Sequence, residues 1–223
     1  MSERTRITRL REKGSTDRAQ LDALLDDARV GHFAIAADDA GPDRADRAPV
    51  VLPTAITRDG DRVLAHGSTG SRWMRALAQG APTCLAVTEL DGLVVARSAF
   101  ESSLHYRSAV LFGRCVVVPA AEKTRALDLI TEALLPGRTA EVRRPTGREL
   151  DATLVLALPI VEWSLKISAG WPEDPAEDVA GPAWAGVVPI RGGYGDPQPA
   201  PDLQTGRTVP ESVRRLPLDA KSR

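Results

Sequence analysis

Lysine is nearly missing from this chain. It stands only at positions 13, 123, 166 and 221, and the other 25 basic residues are arginine. A single arginine is therefore a weak signal here, whereas Lys166 stands out. Aromatic residues make up only 4% of the 223, so the core must be built from Val, Leu, Ile and Ala. The formal net charge is −1, which gives no electrostatic case for nucleic acid or an anionic membrane. Cys84 and Cys115 stand alone, without a CxxC pair or Cys/His ligand spacing, so no metal site is expected and both read as buried free thiols. No apolar run approaches the length of a membrane span. The N-terminus is charged and lacks an apolar signal segment, so a cytoplasmic location is expected. No GxGxxG follows a strand-like run, and the alternating βαβ pattern of a dinucleotide-binding domain is missing.

What is present suits one domain with a tail. Hydrophobic residues reach 43%, enough for a single core. Residues 1–14 are basic and irregular and read as a flexible arm. A domain follows over 15–170, then a tail over 171–223. Nine of the 17 prolines lie from Pro172 onward, which argues against regular helix or sheet there. Trp171, Trp184, Val187, Val188 and Ile190 nevertheless suit a tail laid on the core or on a partner subunit.

Within the domain, Leu21, Leu24, Leu25 and Ala28 recur at helical spacing, with Ser15 or Thr16 as N-cap. Val30 to Ala37 reads as a strand, Asp38 to Ala48 as a polar loop, and Pro49 to Thr57 as a second strand. Arg58-Asp59-Gly60 turns into a strand ending at His66. Ser71 to Gln79 forms a short helix. Thr83 to Leu90 is a strand, Asp91-Gly92 a tight turn, and Leu93 to Ala99 its antiparallel return. Tyr106 to Val118 makes a long strand, Ala120 to Leu135 a helix, and Leu154 to Ile167 a last strand. Antiparallel strands with a few helices predict a mainly β (α+β) protein: a closed or split β-barrel with helices over its ends and an extended Pro-rich tail.

The richest stretch is Asp61 to Arg75, DRVLAHGSTGSRWMR. A period-two strand ends at His66, Gly67 and Gly70 punctuate a loop, and Ser68, Thr69 and Ser71 put hydroxyls at a helix start. Arg72 and Arg75 follow one turn apart. Free N–H groups and forked guanidiniums at that point make an anion site suited to phosphate. The same residues also suit a plain capped helix with solvated arginines.

Three segments occur in order: His66-Gly67-Ser68 to Arg72, Tyr106 to Gly113, and Glu162-Trp163-Ser164-Leu165-Lys166 followed by Gly170. With the DGLVVARS stretch at Asp91 to Ser98, the Gly170 to Asp174 exit and Trp184 to Pro189, they resemble the pyridoxamine 5′-phosphate oxidase-like superfamily of FMN-binding split barrels. The resemblance is to its flavin-nucleotide-binding branch, which includes the nitroimidazole-resistance proteins. It implies a homodimer with FMN at the interface and a small organic substrate, which nitroaromatics would suit. The phosphate would sit at Gly67, Ser68, Ser71 and Arg72, and the flavin ring along Leu64, Ala65 and His66. Tyr106 and Ser108 would approach from a neighbouring strand, and Trp163 or Lys166 from the other subunit. Flavin would carry the electron chemistry, with His66 as a catalytic donor near the ring and Lys166 as a positive charge near its N1/O2 edge. His32 and His105 read as structural or solvated. The alternatives are a non-covalent haem protein on the same fold, with His66 or His105 as axial ligand, a deazaflavin in place of FMN, or a non-catalytic flavin-binding module. The Arg-Leu-x-Pro terminus with which pyridoxamine-phosphate oxidases grip substrate is not matched. Arg215-Leu216-Pro217 follows a Pro-rich stretch, so vitamin B6 oxidation is not expected.

Overall fold

All strand pairings in the computed structural model, which describes residues 3–36, 49–204 and 206–219, are antiparallel. Ten strands are described: β1 (Gly14–Ser15), β2 (Val30–Ile35), β3 (Val50–Asp59), β4 (Arg62–Ser68), β5 (Pro82–Val95), β6 (Ser103–Arg114), β7 (Val116–Val117), β8 (Thr153–Pro159), β9 (Glu162–Ser168) and β10 (Gly186–Pro189). Their order is β1-β9-β6-β5-β2-β3-β4-β8-β7, with β10 added to β5. Helices α1 (Arg18–Asp27), α2 (Arg72–Ala78), α3 (Ala120–Leu134), α4 (Gly147–Ala152), α5 (Ala176–Val179) and α6 (Glu211–Asp219) flank the sheet. None of the described helices is long and apolar enough to cross a membrane.

The split barrel follows from two local facts. First, β3 pairs with β2 over its first half and with β4 over its second, so one strand passes from one half-sheet to the other. Pro53 sits in the first half, where β2 is the only partner, so its missing N–H breaks no ladder on the open side. Second, β8 and β9 lie toward opposite ends of the strand order yet are joined by residues 160–161 alone, so the two ends must curl together. The main core fills the interior with Phe33, Leu85, Leu111, Leu156 and Leu158. α1 closes it with Leu21, Leu24 and Leu25, all at most 1% exposed. A smaller cluster under α3 joins Leu64, Val118, Ala126, Ile130, Val155 and Ala157.

Several expectations change. Asp91-Gly92 is not a hairpin turn, for β5 runs through it with a bulge between Leu90 and Gly92. The glycine is needed for close approach, since a Cβ at Gly92 would lie 3.0 Å from the Val188 carbonyl oxygen on β10. The expected strand over 154–167 is two strands, broken after Pro159, where the Ile160 N–H donates to the Asp61 carbonyl. The expected strand over 106–118 breaks at buried Cys115. Asp17, not Ser15 or Thr16, caps α1, accepting from the Ala19 N–H at 2.8 Å. The polar loop expected over 38–48 lies outside the described residues.

The tail holds regular structure despite its prolines. β10 pairs residue for residue with β5 from Gly92 to Val95. Asp174, whose side chain is wholly buried, accepts from the Arg97 backbone N–H at 2.7 Å and its guanidinium at 2.8 Å. Ser212 of α6 donates through its N–H to Glu141 at 3.1 Å. At the other end, residues 3–15 lie along β9. Gly14 and Ser15 pair with Lys166 and Leu165, and Arg4 forms an ion pair with Glu162.

Candidate functional site

β4 delivers the first group of expected site residues. Leu64 and Ala65 are at most 1% exposed, their side chains packed into the two cores, and their backbone is paired with β3 on one side and β8 on the other. The side chains at 64 and 65 therefore face the cores rather than open space. The strand opens only at His66, where α3 ends its cover. The His66 ring is half-buried, and its Nδ1 is enclosed without a hydrogen-bond partner. Burial lowers its pKa below the ordinary value, so the ring is neutral at pH 7. An enclosed polar atom left unpaired costs about 1–3 kcal/mol.

Beyond His66 the chain turns sharply. A Cβ at Gly67 would meet Met74 Cγ at 3.0 Å, so glycine lets α2 pack against the strand end. The Gly70 N–H donates to Ser68 Oγ at 3.1 Å, and the Thr69 N–H donates to the Ala152 carbonyl at 3.0 Å, tying the loop to the end of α4. Ser71 caps α2 without a side-chain hydrogen bond, so the first-turn N–H groups receive nothing from the cap. Arg72 and Arg75 are exposed, and their guanidiniums make no hydrogen bond or ion pair among the described residues. Arg18, Arg58, Arg62, Arg97, Arg107 and Arg125, by contrast, are held by carboxylates.

The second group lies elsewhere. Tyr106 and Ser108 alternate along β6 on the face away from the core, and Ser108 stands directly opposite Lys166 on β9 and Thr88 on β5. Ser108 and Lys166 are cross-strand neighbours, so one copy of the chain presents both on the same sheet face. Trp163 is on the opposite, core-facing side of β9 with Leu165, and it also forms part of the wall of a cavity of about 600 Å³ between that strand and residues 5–16. His105 donates from Nε2 to the Gly170 carbonyl at 2.7 Å. The expected site is thus two patches within one chain, the 66–72 loop and the outer face of β5, β6 and β9.

Two features were missed in the sequence. A cleft of about 480 Å³ opens beside His66, walled by Leu127, Ile130, Val142 and Leu150, with Arg143 at its edge. Leu127 and Ile130 share one face of the helix by their spacing, but spacing alone does not show that this face borders a cleft. The outer sheet face also carries an exposed apolar row, Val188, Leu93 and Leu104, in direct register across β10, β5 and β6. Nothing local in the sequence places those three side by side. Among the described residues, no three His, Cys, Asp or Glu side chains converge on a metal-sized site.

The comparisons agree with this architecture. The family model described as pyridoxamine 5′-phosphate oxidase matches residues 17–167. The chain is 50% identical to the FAD and haem binding protein from Mycobacterium smegmatis, covering 92% of this chain and 97% of that one, with a TM-score of 0.85. It is 35% identical to the flavocytochrome Anf3 from Azotobacter vinelandii, covering 96% and 97%, also at a TM-score of 0.85. It shares the fold of a proposed 5-nitroimidazole antibiotic resistance protein from Bacteroides thetaiotaomicron, at 15% identity, coverage of 69% and 86%, and a TM-score of 0.56. No curated protein matches the chain. With the family model spanning the barrel and two structures well above 30% identity along nearly the whole length, the chain belongs to the pyridoxamine 5′-phosphate oxidase family.

Proposed function

We propose that this protein binds FAD together with non-covalent haem and acts as a flavin-dependent oxidoreductase on a small substrate. The observation that carries this reading is the 50% identity over 92% of the chain to a protein that binds FAD and haem. The flavocytochrome at 35% identity points the same way. FAD replaces the FMN expected from the sequence for that reason. A deazaflavin has no comparable support.

The residues fit a dinucleotide flavin. Arg72 and Arg75 are unpaired guanidiniums beside the Ser68–Ser71 hydroxyls, which suits a diphosphate better than a solvated helix end. Bound flavin would supply two-electron acceptance and haem one-electron transfer. The chain's own part is to grip phosphate with Ser68, Ser71 and Arg72, to hold a positive charge at Lys166, and to offer Tyr106 and Ser108 as hydrogen-bonding groups on the open sheet face. Ser108 and Lys166 share one face and the 66–72 loop ends a different strand, so a flavin bound between two copies of the chain would touch both sets. A homodimer built on the outer sheet face meets that need and would cover Val188, Leu93 and Leu104.

The test is the visible spectrum of the purified protein, followed by release and mass analysis of its chromophores. FAD and haem b retained through gel filtration support the reading. FMN alone would return it to the FMN reading that the resemblance implied. A colourless protein that takes up neither cofactor would overturn it.

A further inference from the structure

We propose that His66 is the axial ligand of the haem and that the cleft between α3, residues 141–146 and α4 is the haem pocket. This rests on the FAD-and-haem reading above and assigns His66 to iron rather than to proton donation at the flavin.

The assignment follows from what the described histidines, Met74 and Cys115 are doing. His105 has its Nε2 committed to the Gly170 carbonyl at 2.7 Å. His32 is exposed on the outer sheet face between Pro53 and Ala86, with neither cavity reaching it. Met74 is fully buried against Gly67. Cys115 is buried, and its thiol is pushed up to about 12, so it offers no thiolate. His66 differs from all of these. Neither ring nitrogen has a hydrogen-bond partner among the described residues, Nδ1 is enclosed, and the ring forms part of the cleft wall.

The cleft has the chemistry of a porphyrin site. Its volume of about 480 Å³ falls within the usual range of ligand cavities. Leu127, Ile130, Val142 and Leu150 make apolar walls for the macrocycle. Arg143 at the rim, 69% exposed and paired with Glu149 at 2.6 Å, is placed to exchange that partner for a propionate. Glu141 anchors Ser212 of α6, so the tail helix holds the 141–146 wall in place. Nδ1 has no acceptor, so iron would be held by a neutral imidazole rather than one made more basic by a carboxylate or carbonyl. Ser68 follows His66 by two residues, at most about 7 Å of chain, so haem and the flavin-phosphate loop would adjoin.

The experiment is haem reconstitution of the full chain carrying His66→Gly, with His105→Ala and His32→Ala as controls and Leu127→Trp as a cleft-filling variant that spares the ligand. Haem is read from the Soret band and the pyridine haemochrome, and flavin from its own absorption on the same sample. His66→Gly should lose haem by more than the roughly 10–100-fold that loss of an outer-shell partner costs, keep its flavin, and recover the Soret band when imidazole is added. Leu127→Trp should lose haem and keep flavin, while both control variants keep both. A His66→Gly protein with a wild-type Soret band, or loss of haem in His105→Ala or His32→Ala instead, would overturn the assignment. A wild-type protein that takes up flavin but no haem would sink the FAD-and-haem reading itself, and the ligand assignment with it.

Discussion

Asp174→Asn tests how the tail is held. The native carboxylate is completely buried and accepts two hydrogen bonds from Arg97, one from the backbone N–H and one from the guanidinium, at 2.7 and 2.8 Å. Asparagine keeps the volume but not the charge, and its one carbonyl oxygen serves only one of the two donors. Arg97 then sits with Nε already enclosed and unpaired and a second donor newly orphaned. Breaking a buried ion pair by removing one partner costs about 3–5 kcal/mol. The Arg97 side chain is 27% exposed, so water recovers part of that, leaving about 2 kcal/mol. For a chain of this size each kcal/mol is worth about 2–4 °C, so the melting temperature should fall by about 4–8 °C. Limited proteolysis should cut first between Asp174 and β10 in the variant, before the barrel opens. An unchanged melting temperature and an unchanged cleavage order would refute the idea that Asp174 pins the tail.

Three further outcomes follow from other places in the fold. Asp59, 13% exposed and bonded first to Arg125 and then to Arg62, has its pKa lowered from 3.8 to about 2. It therefore contributes stability above pH 3.8, about 2 kcal/mol, that is lost as pH falls toward 2; Asp59→Asn should flatten the acid-unfolding curve over that window, and an unaltered curve would count against the pair. Arg72→Glu should lower flavin occupancy at least tenfold with a melting temperature within a degree or so of wild type, since Arg72 is exposed and unpartnered. An equal flavin content in that variant would remove Arg72 from the phosphate site. Leu104→Glu places a charge in the exposed row with Leu93 and Val188 and should yield monomer by analytical ultracentrifugation. A dimer of undiminished strength would move the interface off that face.

The split of the expected site has a physical cause. Strand periodicity correctly marked 62–66 as a strand but could not say which neighbours would flank it. With β3 and β8 on either side and α3 above, Leu64 and Ala65 became core, and His66 became the point where the strand meets space. Asp91-Gly92 reads as a tight turn, yet its glycine answers a packing demand from Val188, nearly a hundred residues away. The same holds for the tail, where proline content argued against sheet while β10 needs only four residues, the last of them Pro189, to pair with β5.

Local chemistry in the sequence was enough to determine an aliphatic, antiparallel barrel, most of its strands in order, and a hydroxyl-and-arginine loop at a helix start. Periodicity, turn residues and caps act within a few positions, so they are readable without a fold. The long-range decisions belong to tertiary structure alone. Ser108 faces Lys166, Val188 joins Leu93 and Leu104, and His66 borders a cleft made by α3 and α4. Each brings together residues tens of positions apart, and only the closing of the sheet and the packing of helices on it chooses which of them meet.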